Sequence, residues 1–319
     1  MKRYFLRAIC SILFSTSVWA QESVRVPGGI DVRRLDRLDK EFDDTRNKDS
    51  KTYKHRLKVF TQMTAIDPGD AKFLFPAHVG MGMGTAEQLR TKFETVISST
   101  NRFDFHSTRQ TDIGEGIVVE GMITRAAQNI EDYKAFQKSV TRVDMSVQIK
   151  AMDDGEVLRS KNFSVVYGAD PAEGTIIKTK SATSIKASGE CEDPVVCNNL
   201  KNDYGIALQM LLDEVASFIE KTFRPIAKVY DVDGGVVTMF GGIDHGFAAE
   251  EELIVFRARK IKGPNGKPLP PALKGIAIVK CSAGDISMNC EVIKKGADVE
   301  PGDYAVPSNR MLKLQEHNG

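Results

Sequence analysis

The sequence predicts an α+β fold: an antiparallel sheet with two packed helices, followed by a small all-β barrel-like domain. Three observations predict it. Val143, Met145, Val147 and Ile149 alternate with Asp144, Ser146, Gln148 and Lys150, the period-2 pattern of a strand with one face packed and one face wet. Leu208, Leu211, Leu212, Val215, Ile219 and Phe223 fall on one face of a helix, with Asp213, Glu214 and Glu220 off it. Past Pro225, short apolar runs alternate with turn clusters, the spacing of a small β module.

At 319 residues the chain has room for two domains, and its 41% hydrophobic and 27% charged residues support a packed core. Residues 1–20 stand apart as a secretory signal peptide. Lys2, Arg3 and Arg7 give a positive start, Ala8 to Ser17 form a mostly apolar core, and Val18-Trp19-Ala20 ends in the small residues a signal peptidase reads. The apolar run is shorter than the roughly 20 residues of a spanning helix, and Cys10 does not sit in a lipobox. The 44 basic residues, less the three in the leader, fall two below the 43 acidic ones, so no net field favours nucleic acid or an anionic membrane.

Residues 21–55 form a charged N-terminal segment in which Val32, Leu35, Leu38 and Phe42 recur at helical spacing. A solvated helix or linker is the favoured reading there, and a docking segment for a partner is the alternative. An α+β domain is expected over 56–225. Leu57-Lys58-Val59-Phe60 opens its first strand. The cluster Gly80-Met81-Gly82-Met83-Gly84-Thr85 lacks the third glycine of a dinucleotide fingerprint and the Gly-Lys-Ser/Thr of a phosphate loop. Thr85 and Gln88 instead make a capping box for a helix whose apolar stripe is Ala86, Leu89, Phe93, Val96 and Ile97. A strand follows at Asn101 to Phe105, and Gly116 to Ile123, short and rich in β-branched residues, reads as a central one. Met152-Asp153-Asp154-Gly155-Glu156 then supplies a tight turn between the alternating strand and Asn162 to Tyr167. Periodicity is lost over 168–202, an insertion, and returns in the helix Tyr204 to Phe223, which Pro225 stops.

The small β domain spans 226–310. Its runs are Val229-Tyr230, Val236 to Phe240, Leu253 to Phe256 and Ile276 to Val279, separated by Asp233-Gly234-Gly235, Pro264-Asn265-Gly266 and Pro301-Gly302-Asp303. Four cysteines remain outside the leader: Cys191, Cys197, Cys281 and Cys290. In an exported chain they are disulfide candidates with three connectivities, of which local pairing, Cys191 with Cys197 and Cys281 with Cys290, is favoured. A zinc site is the rival, and it wants shorter spacings or more nearby histidines than His245.

No catalytic constellation is legible. Gly-x-Ser-x-Gly and His-Glu-x-x-His are absent, and His55, His78, His106, His245 and His317 are scattered, which suits surface or capping roles. Asp153 and Asp154 adjoin in a turn, where turn chemistry explains them. No cofactor, no metal and no catalytic residue is expected.

Val118-Val119-Glu120-Gly121, the antiparallel pair with its Asp-Gly turn, the loss of pattern after Tyr167 and Tyr204-Gly205-x-Ala207 resemble the curli-secretion CsgG family and the related TolB amino-terminal-like domains. Val236 to Phe256, with Gly241-Gly242-Ile243-Asp244-His245-Gly246, then Pro264-Asn265-Gly266 and Gly302-Asp303, resembles the β domain of the flagellar assembly protein FlgT. The resemblance implies a non-enzymatic bacterial envelope protein that acts by assembly, a periplasmic homo-oligomer with envelope protein partners and outer-membrane association. The lipidated cysteine of curli secretion proteins is absent. An outer-membrane secretion channel component of the curli type, and a periplasmic ligand-binding protein or enzyme, are the alternative expectations.

Overall fold

The structure is a computed structural model that describes residues 24–27, 30, 35, 38–39, 56–64, 86–105, 116–133, 136–152, 154–170, 172–177, 194–265 and 268–308. The leader, the glycine cluster with its capping box, Cys191, Asp153, His55, His78, His106 and His317 all lie outside these residues. The α+β class holds, in two strand systems.

The first system contains β1 (Leu57–Thr64), α1 (Ala86–Ser98), β2 (Phe103–Phe105), β3 (Gly116–Tyr133), β4 (Phe136–Ala151), β5 (Val157–Tyr167), β6 (Ile176–Ile177) and α2 (Pro194–Thr222). Its strand order is β2-β1-β3-β4-β5, with β6 added to β4. The sheet is mixed, not antiparallel as expected. β1 runs parallel to both β2 and β3, while β3, β4 and β5 are antiparallel. The reason is the crossover: a strand that returns through a helix comes back parallel to its predecessor.

Alternation in β4 settles the layers. Val143, Met145, Val147 and Ile149 are fully buried and stand beside Ile123, Gly121 and Val119 of β3 and Phe163 and Val165 of β5. Both helices cover that one face. α1 lies over β1 and β2 through Leu89, Phe93 and Ile97, and α2 over β4 and β5 through Leu208, Leu211, Leu212, Val215 and Ile219. Glu94 of α1 also accepts the hydroxyl of the buried Thr61 of β1.

β3 and β4 are longer than their sequence patterns. A register shift between Ile123 and Arg125 moves the inward parity of β3 from odd to even numbers, placing Ala126 and Gln128 opposite Val143 and Thr141. A β-bulge of this kind interrupts a period-2 reading although the strand continues. Gly155 holds a φ of 72° in the turn between β4 and β5, where Asp154 Oδ1 accepts the amide of Glu156. Turn chemistry is thus the structural role of that carboxylate.

The expected insertion needs correction at both ends. Residues 194–202 are helical, so α2 begins ten residues before the expected start at Tyr204. Val195 is exposed and Leu200 is the buried residue of that first stretch, which leaves no stripe to read. Gly168 and residues 173–175 lie against the sheet. Asp203 Oδ2 accepts Thr175 N at 2.9 Å and the Ser139 hydroxyl, and Gln128 Nε2 donates to Thr141 Oγ1 at 3.0 Å and to Leu200 O at 2.9 Å. Gly168 and Gly174 both have positive φ, and a Cβ on either would meet Ser139 O at 2.4 or 2.5 Å.

The second system contains β7 (Ala227–Asp233), β8 (Val236–Phe240), β9 (Glu250–Lys262), β10 (Pro268–Ala283), β11 (Ser287–Lys295) and β12 (Tyr304–Pro307). They pair in the closed circuit β10-β11-β8-β7-β12-β9 around Val229, Val237, Met239, Leu253, Val255, Ala277 and Val279. Gly234 and Gly235, both at positive φ, form a two-residue hairpin loop between the paired Asp233 and Val236, the geometry of a type I′ turn. Pro270 and Pro271 fall in the register shift between Leu269 and Ala272, where a missing amide costs no ladder bond.

The N-terminal segment departs from the solvated helix expected of it. Leu35 is buried against Phe256, Tyr304 and Val306, with Val26, Ile30 and Leu38 around it. Asp39 accepts from Lys228 Nζ and Tyr304 Oη, each at 2.7 Å. Gly275 lets the segment approach, since a Cβ there would meet Val24 O at 2.0 Å. The described residues of the segment thus lie against this chain's own β module.

Cys281 and Cys290 face each other across the β10–β11 hairpin and are disulfide-bonded, with Cα atoms 4.0 Å apart. Cys197 lies on α2 and is also disulfide-bonded. Replacing Cys281 and Cys290 together by Ser is expected to cost about 2–3 kcal/mol by the loop-closure argument. Urea unfolding followed by circular dichroism measures it.

Candidate functional site

The most connected polar site joins the two strand systems and is centred on Arg102. This residue precedes β2 and reaches across to the β module. Its Nη2 lies 2.5 Å from Glu251 Oε1, its Nη1 donates to Gly246 O at 3.0 Å, and its Nε is 3.4 Å from Glu220 Oε1 on α2. Glu251 Oε2 in turn accepts Ala248 N at 3.1 Å. Beside it, Arg56 Nη1 donates to Asn101 Oδ1 at 2.6 Å, and its Nε and Nη2 share Ile243 O at 3.3 Å.

The stretch Gly241 to Gly246 is the seat of the joint. Its Ile243–His245 turn is held by Ile243 N to Gly284 O and Asp244 N to Asp285 O, both at 2.9 Å. Gly246 has a φ of 91°, and a Cβ there would meet Arg102 O at 2.7 Å. His245 is a capping residue, since its Nδ1 accepts Gly242 N at 3.3 Å and its ring lies edge-on to Phe240. The glycines of this stretch therefore serve close backbone approach.

Burial raises the Glu220 carboxyl above its ordinary value, and Arg102 works against that shift. The Arg102 guanidinium thus sits between two largely buried carboxylates, which hold its charge in place.

A second feature lies on the uncovered face of the first sheet. A hollow of about 260 Å³ is lined by Gln62, Glu120, Gly121, Met122, Ser146 and Gln148. Lys150 Nζ sits 2.6 Å from Glu120 Oε2. Among the described residues, no three His, Cys, Asp or Glu side chains are grouped to hold a metal ion, and no helix is long and apolar enough to cross a membrane.

Of the residues singled out in the sequence, Cys281 and Cys290 are brought together, and Cys197 lies on α2 while Cys191 falls outside the described residues. Arg102, Glu220 and Glu251 were not legible: they belong to three elements, with 149 positions between Arg102 and Glu251. The signal available was a single arginine beside a strand, which has no local pattern.

No family model matches the chain, and no curated protein matches it. Solved structures match at low similarity. A DUF330 family protein from Xanthomonas campestris is 9% identical over 52% of this chain and 84% of its own, with a TM-score of 0.32. A putative neuraminyllactose-binding hemagglutinin homolog from Helicobacter pylori is 7% identical over 51% and 83%, with a TM-score of 0.31. The PelC dodecamer from Paraburkholderia phytofirmans is 6% identical over 51% and 89%, with a TM-score of 0.23.

Two substitutions probe the joint. Arg102→Ala strands two buried carboxylates and is expected to cost about 3–5 kcal/mol, read from denaturant midpoints. Glu220→Gln acts differently with pH. A carboxyl with a raised folded pKa binds its proton more tightly in the native state, so its contribution falls as pH rises through that pKa. The Gln variant should therefore gain stability relative to the parent as pH rises above the ordinary carboxylate range, measured as the midpoint difference at each pH.

Proposed function

We propose that this protein is a non-enzymatic component of the bacterial envelope that works by self-association or by docking other proteins. It acts in the periplasm, with outer-membrane association through partners. One observation carries the reading: the first sheet is clad by helices on a single face, and the other face presents Gln62, Glu120, Ser146 and Gln148 to solvent. A sheet face left wet in this way is a surface for recognition. The export signal at residues 1–20 and the Cys281–Cys290 bond agree with an oxidising compartment.

The same reading makes the first system a CsgG- and TolB-like α+β unit and the second a FlgT-like β module. The glycines of Gly241 to Gly246, which carried part of that resemblance, hold the two together here through Arg102. On this reading the function is expressed by surfaces.

Cell fractionation, light scattering and chemical crosslinking of the mature protein test the proposal. The expected result is a periplasmic or membrane-associated pool that crosslinks to itself or to envelope proteins. A monomer with no crosslinked partner, or turnover of a substrate, would overturn it.

A further inference from the structure

We infer that β5 is a docking edge for an extended acidic segment of another envelope protein, which adds to the first sheet as a further strand. The inference rests on the docking function proposed above and names its place and the chemistry of its partner.

Strand order in the sheet ends at β5, and β6 joins β4 at Gln137 and Lys138, past the point where β5 has ended at Tyr167. Among the described residues no strand pairs with the outer side of β5. An edge strand turns the amide and carbonyl of alternate residues outward, a ready template for another chain. Past the register shift at Leu158, Arg159 to Tyr167 keep an unbroken register with β4 and offer a long template, and β5 contains neither the proline nor the glycine that would interrupt pairing. Val157 and Val166 are 51% and 41% exposed near its two ends.

Charge selects the partner. Arg159 and Lys161 are the charged residues of β5, and it has no acidic one. Arg159 stands opposite Ile149 and Lys161 opposite Val147, so both cations lie on the helix-covered side. Lys161 Nζ rests 4.6 Å from the Phe163 ring centroid and 5.1 Å from that of Phe218, at the rim of α2. Ser160, Asn162 and Ser164 occupy the open side, opposite Gln148, Ser146 and Asp144. An incoming strand thus meets two cations on one side and hydroxyl and amide groups on the other. Carboxylates at alternate positions, with short polar residues between them, complement both sides.

A second copy of β5 is the poorer occupant. Antiparallel pairing about Asn162 would set Lys161 against Phe163 and Arg159 against Val165, gathering four cations along one seam with no acid among them. Charged side chains on an edge disfavour self-pairing in this way.

The test uses the mature protein and a fluorescent synthetic peptide of alternating threonine and glutamate, matched in length to β5, with the lysine-for-glutamate peptide as control. Anisotropy should show binding about tenfold or more tighter for the glutamate peptide, weakening with salt, and hydrogen exchange should slow across 157–167. The Arg159→Glu and Lys161→Glu double variant, which leaves the buried Phe163 and Val165 in place, should invert the preference. Equal binding of both peptides, binding of neither, or protection confined elsewhere would overturn the assignment. So would a Ser160→Cys variant that oxidises quantitatively to a dimer linked through β5. If the peptide fails while the protein still crosslinks to envelope partners, the edge assignment falls and the docking function stands. If the peptide binds and no cellular partner is found, the function falls and the edge chemistry stands.

Discussion

The constraint on which the first sheet depends is the unbroken alternation of β4. Val143, Met145, Val147 and Ile149 face the helices and are fully buried, which sends Asp144, Ser146, Gln148 and Lys150 the other way. A one-residue slip of β4 against its neighbours would bury these polar groups and expose the core set. Because β4 pairs with β3, β5 and β6 together, it transmits one choice of face to most of the sheet. The bulge after Ile123 shows the constraint at work: β3 absorbs an extra residue so that Ala126 and Gln128 stay on the covered side.

Much of this was legible in the sequence where burial is one-sided. The α2 stripe from Leu208 to Phe223 and the β4 alternation each report a face that a helix or a strand must hide. The Cys281–Cys290 staple was legible because both residues flank a turn. What escaped has physical reasons. β12 is four residues, all buried, too short for a period. The first turns of α2 leave Val195 exposed and, among the described residues, bury only Leu200, so no stripe forms, and the second half of β3 changes parity at the bulge. The parallel placement of β1 was missed because direction follows from a long-range crossover, which a local pattern does not encode. The same holds for the Arg102 joint, whose partners come from distant parts of the chain.

That joint and the N-terminal dock use opposite physics. Around Arg102 the contacts are charged and backbone-directed, and Gly246 lets the backbones close up. Directional contacts of this kind fix orientation, since a guanidinium fork accepts few geometries. Around Leu35 the contact is apolar with Phe256, Tyr304 and Val306, and Asp39 supplies the single carboxylate that Lys228 and Tyr304 share. Apolar burial there is non-directional and scales with area.

The Asp39–Tyr304 contact spans 265 positions, joining an early stretch of the chain to the strand that closes the β circuit. The cradle for the early stretch is therefore built from residues that are synthesised near the end. Until β12 arrives, the apolar side chain of Leu35 has nowhere of its own to go, and the entropy of so wide a loop must be met before any contact repays it. During synthesis that stretch thus waits for nearly the whole length of the chain before its cradle is complete.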